Sequence, residues 1–184
     1  MPTYTIINKK NFIYIYSFVI AVLFIFRYGY FFNIDDHSEM LSPIYYLHDK
    51  TLYQNDYYMT YYTNLNFTIR TIFIYTLYYI SLILPLNYIC FIINFICIFF
   101  TSLYISKITA LFSDNKLSVY LAPLITLIIF KDITIGGNNI QYNYLLPSSI
   151  AKAISCFSIY IFLKKNILIT SISIIVASLF QPLV

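Results

Sequence analysis

Residues 12–32 read FIYIYSFVIAVLFIFRYGYFF, and residues 33–56, which follow at once, read NIDDHSEMLSPIYYLHDKTLYQND. The first stretch carries one charge, Arg27. As a helix rising 1.5 Å per residue it spans about 31 Å, the thickness of a bilayer's hydrocarbon core. The second stretch holds Asp35, Asp36, Glu39, Asp49 and Asp56, five of the chain's 7 acidic residues, and both of its 2 histidines, His37 and His48. Polar groups are costly in hydrocarbon, so this segment belongs in water at a membrane face. The junction at Phe32–Asn33 therefore reads as the end of a membrane span and the start of an outer loop. Lys9 and Lys10 precede the span, which puts the N-terminus on the cytoplasmic side. A cleaved signal peptide is the competing reading. The run is too long for one, and Arg27-Tyr28-Gly29-Tyr30 offers no small-x-small cleavage pattern.

Composition sets the class. Of 184 residues, 60% are hydrophobic and 10% are charged, against about 25% charged in a typical soluble domain. So little charge cannot cover a water-facing surface. The net charge of +4 reads as loop bias that sets topology, not as a nucleic-acid surface. Gly29, Gly136 and Gly137 are the 3 glycines, and no nucleotide-binding glycine motif exists. Cys90, Cys97 and Cys156 lie in apolar runs without CxxC or Cys/His metal spacing, and read as small buried hydrophobes.

The rest of the chain extends the pattern. The expected fold is an all-α integral membrane protein, a single membrane domain over residues 1–184, read as part of a longer chain. Spans are expected near 12–32, 87–105, 117–130, 144–163 and 167–184, about five in all. The outer loop covers 33–66. Residues 67–84 form an interfacial or re-entrant helix, because if they crossed, Lys107, Lys116, Lys164 and Lys165 would all fall outside. Within the outer loop, Ser42-Pro43 resembles a helix start. Met40, Ile44 and Leu47 follow helical spacing and predict a short amphipathic helix on the membrane. Tyr53, Tyr57, Tyr58, Tyr61 and Tyr62 form an aromatic belt suited to the interface. Pro123 kinks the third span. Residues 131–143 read as an outer loop turning at Gly136-Gly137. The expected location is a membrane, as a multi-pass protein, and the cell (inner) membrane if the source is a bacterium, with membrane lipids as partners and no nucleic acid.

Asp35, Asp36, His37 and Glu39 are the densest chemistry. Carboxylates at the bilayer edge can supply a general base, or hold Mg²⁺ or Mn²⁺ as a weak divalent site at Asp35, Asp36 and Glu39. Equally, they form a solvated acidic cap on a helix N-terminus. Lys152 stands about eight residues into the fourth span, and a charge at such depth costs about 3 kcal/mol, which marks it as a functional candidate. The alternative is a lysine that snorkels to the outer headgroups while Ser148 and Ser155 pack against a neighbouring helix. Ser148, Lys152 and Ser155 share one helix face. Arg70 is the similar case in the interfacial helix. His48-Asp49-Lys50 has no serine or cysteine nucleophile placed with it and reads as the solvated end of the amphipathic helix.

A first span followed at once by an acidic pair, then a helical outer loop, resembles the GT-C membrane glycosyltransferases over about residues 12–112. These include the protein O-mannosyltransferases, the aminoarabinose transferases and the oligosaccharyltransferase catalytic subunits. The resemblance implies transfer of a sugar from a polyprenyl-phosphate carrier to an acceptor on the outer face. It implies Asp36 or Asp35 as the catalytic carboxylate, with His37 and Glu39 in support. Asp56 would be a second outer-loop acid, and Lys152 and Arg70 would meet the donor phosphate. The chain is far shorter than that superfamily's many-span fold. The alternative is a non-catalytic polytopic membrane subunit or a transporter, in which Lys152 and Arg70 line a path or a helix interface.

Overall fold

The computed structural model describes residues 4–59, 67–130 and 139–181. Every regular element among them is helical. In order they are α1 (Tyr4–Tyr28), α2 (Asp35–His48), α3 (Thr71–Ser81), α4 (Leu86–Phe112), α5 (Lys116–Pro123) continuing into a π-helical turn (Leu124–Ile129), α6 (Pro147–Leu163) and α7 (Ile167–Phe180).

Five helical rods alternate in direction. α1 and α4 run antiparallel, with Tyr30 against Phe91 at one end and Lys107 Nζ donating to Tyr14 Oη (3.1 Å) at the other. α5 returns beside α1: Tyr16 Oη donates to the Tyr120 carbonyl, and Tyr28 Oη to the Ile128 carbonyl, each at 2.6 Å. α6 runs with α4, Tyr160 meeting Tyr104, and α7 turns back along α6. One end of the bundle thus carries Lys107, Lys116, Lys164 and Lys165. The opposite end carries residues 29–59, α3 and the segment 139–146. Ile20, Ala21, Phe24, Ile98, Leu127 and Ile128 form the core between α1, α4 and the π turn.

Local chemistry explains the boundaries. α1 stops at Tyr28, not Phe32 as the apolar run suggested, because Gly29 takes φ +73° and its N–H closes onto the Ile25 carbonyl at 2.8 Å. Pro123 lacks the N–H that α-helical bonding needs, and the chain beyond it adopts i→i+5 bonding, ending with Phe130 N–H on the Ile125 carbonyl (2.9 Å). Asn115 and Asn166 cap α5 and α7, accepting from Leu117 N–H (2.9 Å) and Ile169 N–H (3.2 Å).

Several expectations are corrected. α2 does not begin at Ser42-Pro43; it begins at Asp35, and Pro43 lies inside it. The acidic first turn, Asp35 and Asp36, suits the positive helix end better than a later start would. Of the helix expected over 67–84, the helical part is Thr71–Ser81, 11 residues or about 16 Å long. α6 starts at Pro147 rather than Tyr144. Residues 139–143 are not a solvated loop: Gln141 is fully buried, and the chain there threads into the bundle. The Gly136-Gly137 turn, Tyr61 and Tyr62 lie outside the described residues. Of the five spans expected, two stretches, Asn11–Tyr28 and Leu86–Phe112, are helices long and apolar enough to cross a membrane by length and composition. The other apolar helices have 10–17 residues.

The distribution of polarity is inverted along the rods. On α7 the buried residues are Thr170, Ser173 and Ala177, while Ile167, Leu168, Ile172 and Ile175 face outward. On α4 the buried set includes Asn94, Thr101, Ser102 and Ser106, while Phe91, Ile92, Ile96 and Phe100 are exposed.

Candidate functional site

A cavity of about 690 Å³ opens where α2, α3, α4 and α6 meet. That volume is in the range of ligand sites. Asp36, Arg70 and Lys152, far apart in sequence, all line it. Ser148 and Ser155 line it too, so the face predicted from their spacing with Lys152 is the one turned to the cavity. Thr101, Ile105 and Ile159 form deeper walls. Along α6 the lining runs from Pro147 to Ile159, about 18 Å.

Each charged group is set by its backbone. Asp36 stands exposed in the first turn of α2. Asn33 and Asp35 before it both take positive φ, +61° and +44°. His37 secures this turn: its Nδ1 accepts from Asn33 N–H at 3.2 Å. The proton therefore sits on Nε2, which has no partner among the described residues. The ring is fully buried between Phe32 and Tyr144. Burial disfavours the imidazolium and lowers its pKa from 6.5 to about 4. His37 thus underlies the acidic turn as a neutral side chain and does not line the cavity.

Arg70 Nη1 donates to Glu39 Oε1 at 2.7 Å and to Tyr58 Oη at 3.0 Å. The pairing with Glu39 raises the Arg70 pKa, although burial by itself pulls the other way. This pair commits Glu39 Oε1 to a cation. The divalent site expected from Asp35, Asp36 and Glu39 is accordingly not assembled: no three His, Cys, Asp or Glu side chains cluster among the described residues. Asp35 is exposed and is not part of the cavity wall. Asp56 Oδ1 accepts from Met59 N–H at 2.9 Å, the work of a cap.

Lys152 lies five residues past the start of α6, about 8 Å along the helix rather than 12 Å. Its Nζ donates to the Asn139 carbonyl at 2.5 Å and sits 4.9 Å from the Tyr142 ring centre. The charge at depth is met by backbone that the irregular segment carries inward.

That segment holds what sequence reasoning missed. Gln141 Nε2 donates to Asn94 Oδ1 at 3.2 Å, both side chains fully buried, and Asn94 Nδ2 reaches the Tyr142 carbonyl at 3.5 Å. Phe31 N–H bonds the Asn143 carbonyl at 3.0 Å, and Asn143 Nδ2 the Tyr28 carbonyl at 3.4 Å. The available signal was Asn94, an amide within an apolar run that needed a buried partner.

His48 and Asp49 lie at the far end of α2. His48 Nε2 and Ser81 Oγ are 2.7 Å apart, joining the ends of α2 and α3. Asp49 Oδ1 accepts from the Thr51 hydroxyl (2.7 Å) and N–H (2.8 Å), which hold its carboxyl below the usual range. The three cysteines are free thiols, Cys90 and Cys97 buried in α4. No family model, curated protein or solved structure matches this chain.

Proposed function

We propose that this chain is a multi-pass membrane protein, N-terminus cytoplasmic, whose cavity takes a lipid-phosphate-linked sugar in the manner of the GT-C transferases. The membrane part rests on the inverted polarity of α4 and α7. Outward Ile, Leu and Phe with inward Ser, Thr and Asn is the arrangement suited to lipid outside and packing inside. The lysine-bearing end is then the cytoplasmic one.

The observation that carries the enzymatic part is the convergence of Asp36, Arg70 and Lys152 on one cavity. A carboxylate and two cations lining one cavity suit a reaction that creates a phosphate leaving group. The acceptor hydroxyl attacks the anomeric carbon, Asp36 takes its proton, and the bond from that carbon to the phosphate oxygen breaks. The polyprenyl phosphate departs, its charge met by Lys152 and Arg70, and the sugar centre inverts. Ile105 and Ile159 provide apolar wall for the isoprenoid.

The test uses host membranes carrying the full chain, with a panel of polyprenyl-phosphate hexoses and pentoses as donors and transfer followed by mass spectrometry. Asp36→Asn is expected to reduce transfer about 10²- to 10⁴-fold while leaving membrane extraction unchanged. Transfer at the wild-type rate in that variant overturns the mechanism. Labelling that places residues 35–56 in the cytoplasm overturns the topology.

A second reading, a transporter, is favoured by one feature. Non-helical residues 139–146 lie within the bundle, and Ser17, Thr101, Ser102 and Ser106 are buried hydroxyls without partners among the described residues. Broken backbone and interior polar groups suit a substrate path. Uptake that depends on Asp36, with no transfer, would select it.

A further inference from the structure

The lysine-bearing end of the bundle holds a separate cavity of about 320 Å³. Three helices meet there. α1 supplies Tyr14, α4 supplies Lys107 and α6 supplies Tyr160, over a floor of Ile13, Ala110 and Leu111. Lys107 Nζ donates to Tyr14 Oη at 3.1 Å and lies 4.8, 5.2 and 5.7 Å from the ring centres of Tyr14, Tyr104 and Tyr160. Aromatic faces attract an ammonium and hold it in place. They leave its charge uncancelled, and no carboxylate pairs with it among the described residues. Tyr14 is the one hydrogen-bond acceptor of its three N–H donors found among the described residues. Lys116, Lys164 and Lys165 stand exposed at the same end, with Asp114 as the one described acid there.

We infer that this cavity binds the phosphate of an anionic phospholipid from the adjoining leaflet. Lys107 meets the phosphodiester with Tyr160 Oη beside it, and Ile13, Ala110 and Leu111 accept the glycerol and the first acyl carbons. The mixture of groups chooses the ligand. A hydrated inorganic anion gains nothing from the apolar floor, and a zwitterionic headgroup carries its own cation to neutralise the phosphate. An anionic amphiphile uses both halves of the site. Basic pockets between membrane helices on the cytoplasmic side are suited to such headgroups. The inference rests on the membrane reading above and is independent of the sugar-transfer reading.

The test uses the full chain purified in detergent, with lipid retention followed by native mass spectrometry. The probes are dioleoyl phosphatidylglycerol, dioleoyl phosphatidylcholine and inorganic phosphate. Phosphatidylglycerol is expected to bind about fivefold more tightly than phosphatidylcholine, the effect of one well-placed lysine. Lys107→Gln is expected to erase that preference, and Lys116→Gln, at an exposed lysine of the same end, to keep it. Tyr160→Phe retains the ring and loses the hydroxyl. It should weaken phosphatidylglycerol more than phosphatidylcholine, whose own cation already neutralises the phosphate, and it carries the test if Lys107→Gln does not fold. Equal binding of the two lipids by the wild type overturns the inference. So does equal loss in Lys116→Gln, which would mean diffuse surface charge, or displacement of the lipid by equimolar inorganic phosphate. A chain absent from the membrane fraction overturns the membrane reading together with this one. A membrane-resident chain without lipid preference overturns this inference alone.

Discussion

Two helix pairs in this molecule obey opposite rules. α2 and α3 bury Met40, Leu41 and Ile44 against Phe73, Ile74 and Leu77; α2 turns Asp35, Asp36 and Glu39 outward, and α3 turns out Tyr75, Thr76 and Tyr79. α6 and α7 bury Ala151, Ala153, Ser158, Thr170, Ser173 and Ala177, and turn Ile159, Phe162, Ile167, Leu168, Ile172 and Ile175 outward. The first pair hides aliphatic and phenylalanine side chains and shows charges and hydroxyls, which suits water or a membrane interface. The second hides small and hydroxyl-bearing residues, which let backbones approach closely and give no advantage in water. Under the membrane reading proposed above, the two pairs belong to two surroundings, water for the first and lipid for the second, with the boundary near Pro147, where the segment 139–146 turns into α6.

The sharpest way to break that contrast is a paired truncation. Phe73 is fully buried, and Phe73→Ala is expected to cost about 3–5 kcal/mol in the unfolding free energy. Ile172 is 54% exposed, and Ile172→Ala is expected to stay within about 0.5 kcal/mol, since a lipid or detergent tail is as apolar as the side chain removed. Unfolding in micelles by guanidinium measures both. A large cost at Ile172 would mean that protein, not lipid, covers the outer face of α7.

The α2–α3 pair should also respond to pH, through His37. His37 is neutral in the fold, with its pKa lowered by burial from 6.5 to about 4. Between those values the unfolded chain binds a proton that the folded chain refuses, so stability is complete above about pH 6.5 and declines as pH falls toward 4. At 1.36 kcal/mol per unit, the loss is about 3 kcal/mol. His37→Gln is expected to remove most of this slope in a pH series of melting curves. A slope that survives the substitution would place its origin elsewhere in the α2–α3 layer.

Much of this was legible in advance, for identifiable reasons. The apolar runs announced α1 and α4, because a long uncharged stretch has few alternatives to a helix. The face Ser148–Lys152–Ser155 followed from helical period alone. Ser42-Pro43 misled because the favourable signals for a helix start are local, whereas the actual start depends on Asn33 N–H reaching the His37 ring and on two residues at positive φ. Residues 139–143 misled for a deeper reason. Gly136-Gly137 and the polar letters around them read as solvent, but the Gln141 amide N–H donates to Asn94, 47 positions away. No local pattern encodes a pairing of that kind. The same applies to Glu39, whose partner Arg70 lies 31 positions away.

The smallest effect separates the two regions by salt. Ser158 Oγ donates to Ser173 Oγ at 2.8 Å, and Ser173 Oγ donates on to the Thr170 carbonyl at 2.9 Å. Arg70 and Glu39 are the corresponding polar link in the α2–α3 layer, with their side chains 29% and 46% exposed. Both couplings should be modest in double-mutant cycles, about 0.6 kcal/mol for a hydrogen bond between membrane helices and about 0.2–1 kcal/mol for an exposed ion pair. Their magnitudes therefore do not distinguish them, but their physics does. The serine pair carries no net charge and is shielded by α6 and α7, so its coupling should be the same at 0 and at about 1 M salt. The Arg70–Glu39 coupling should fall away, because at that ionic strength charges are screened within about 3 Å. Salt sensitivity at Ser158–Ser173 would mean that water reaches the α6–α7 interface, and the contrast between the two pairs would fail at its centre.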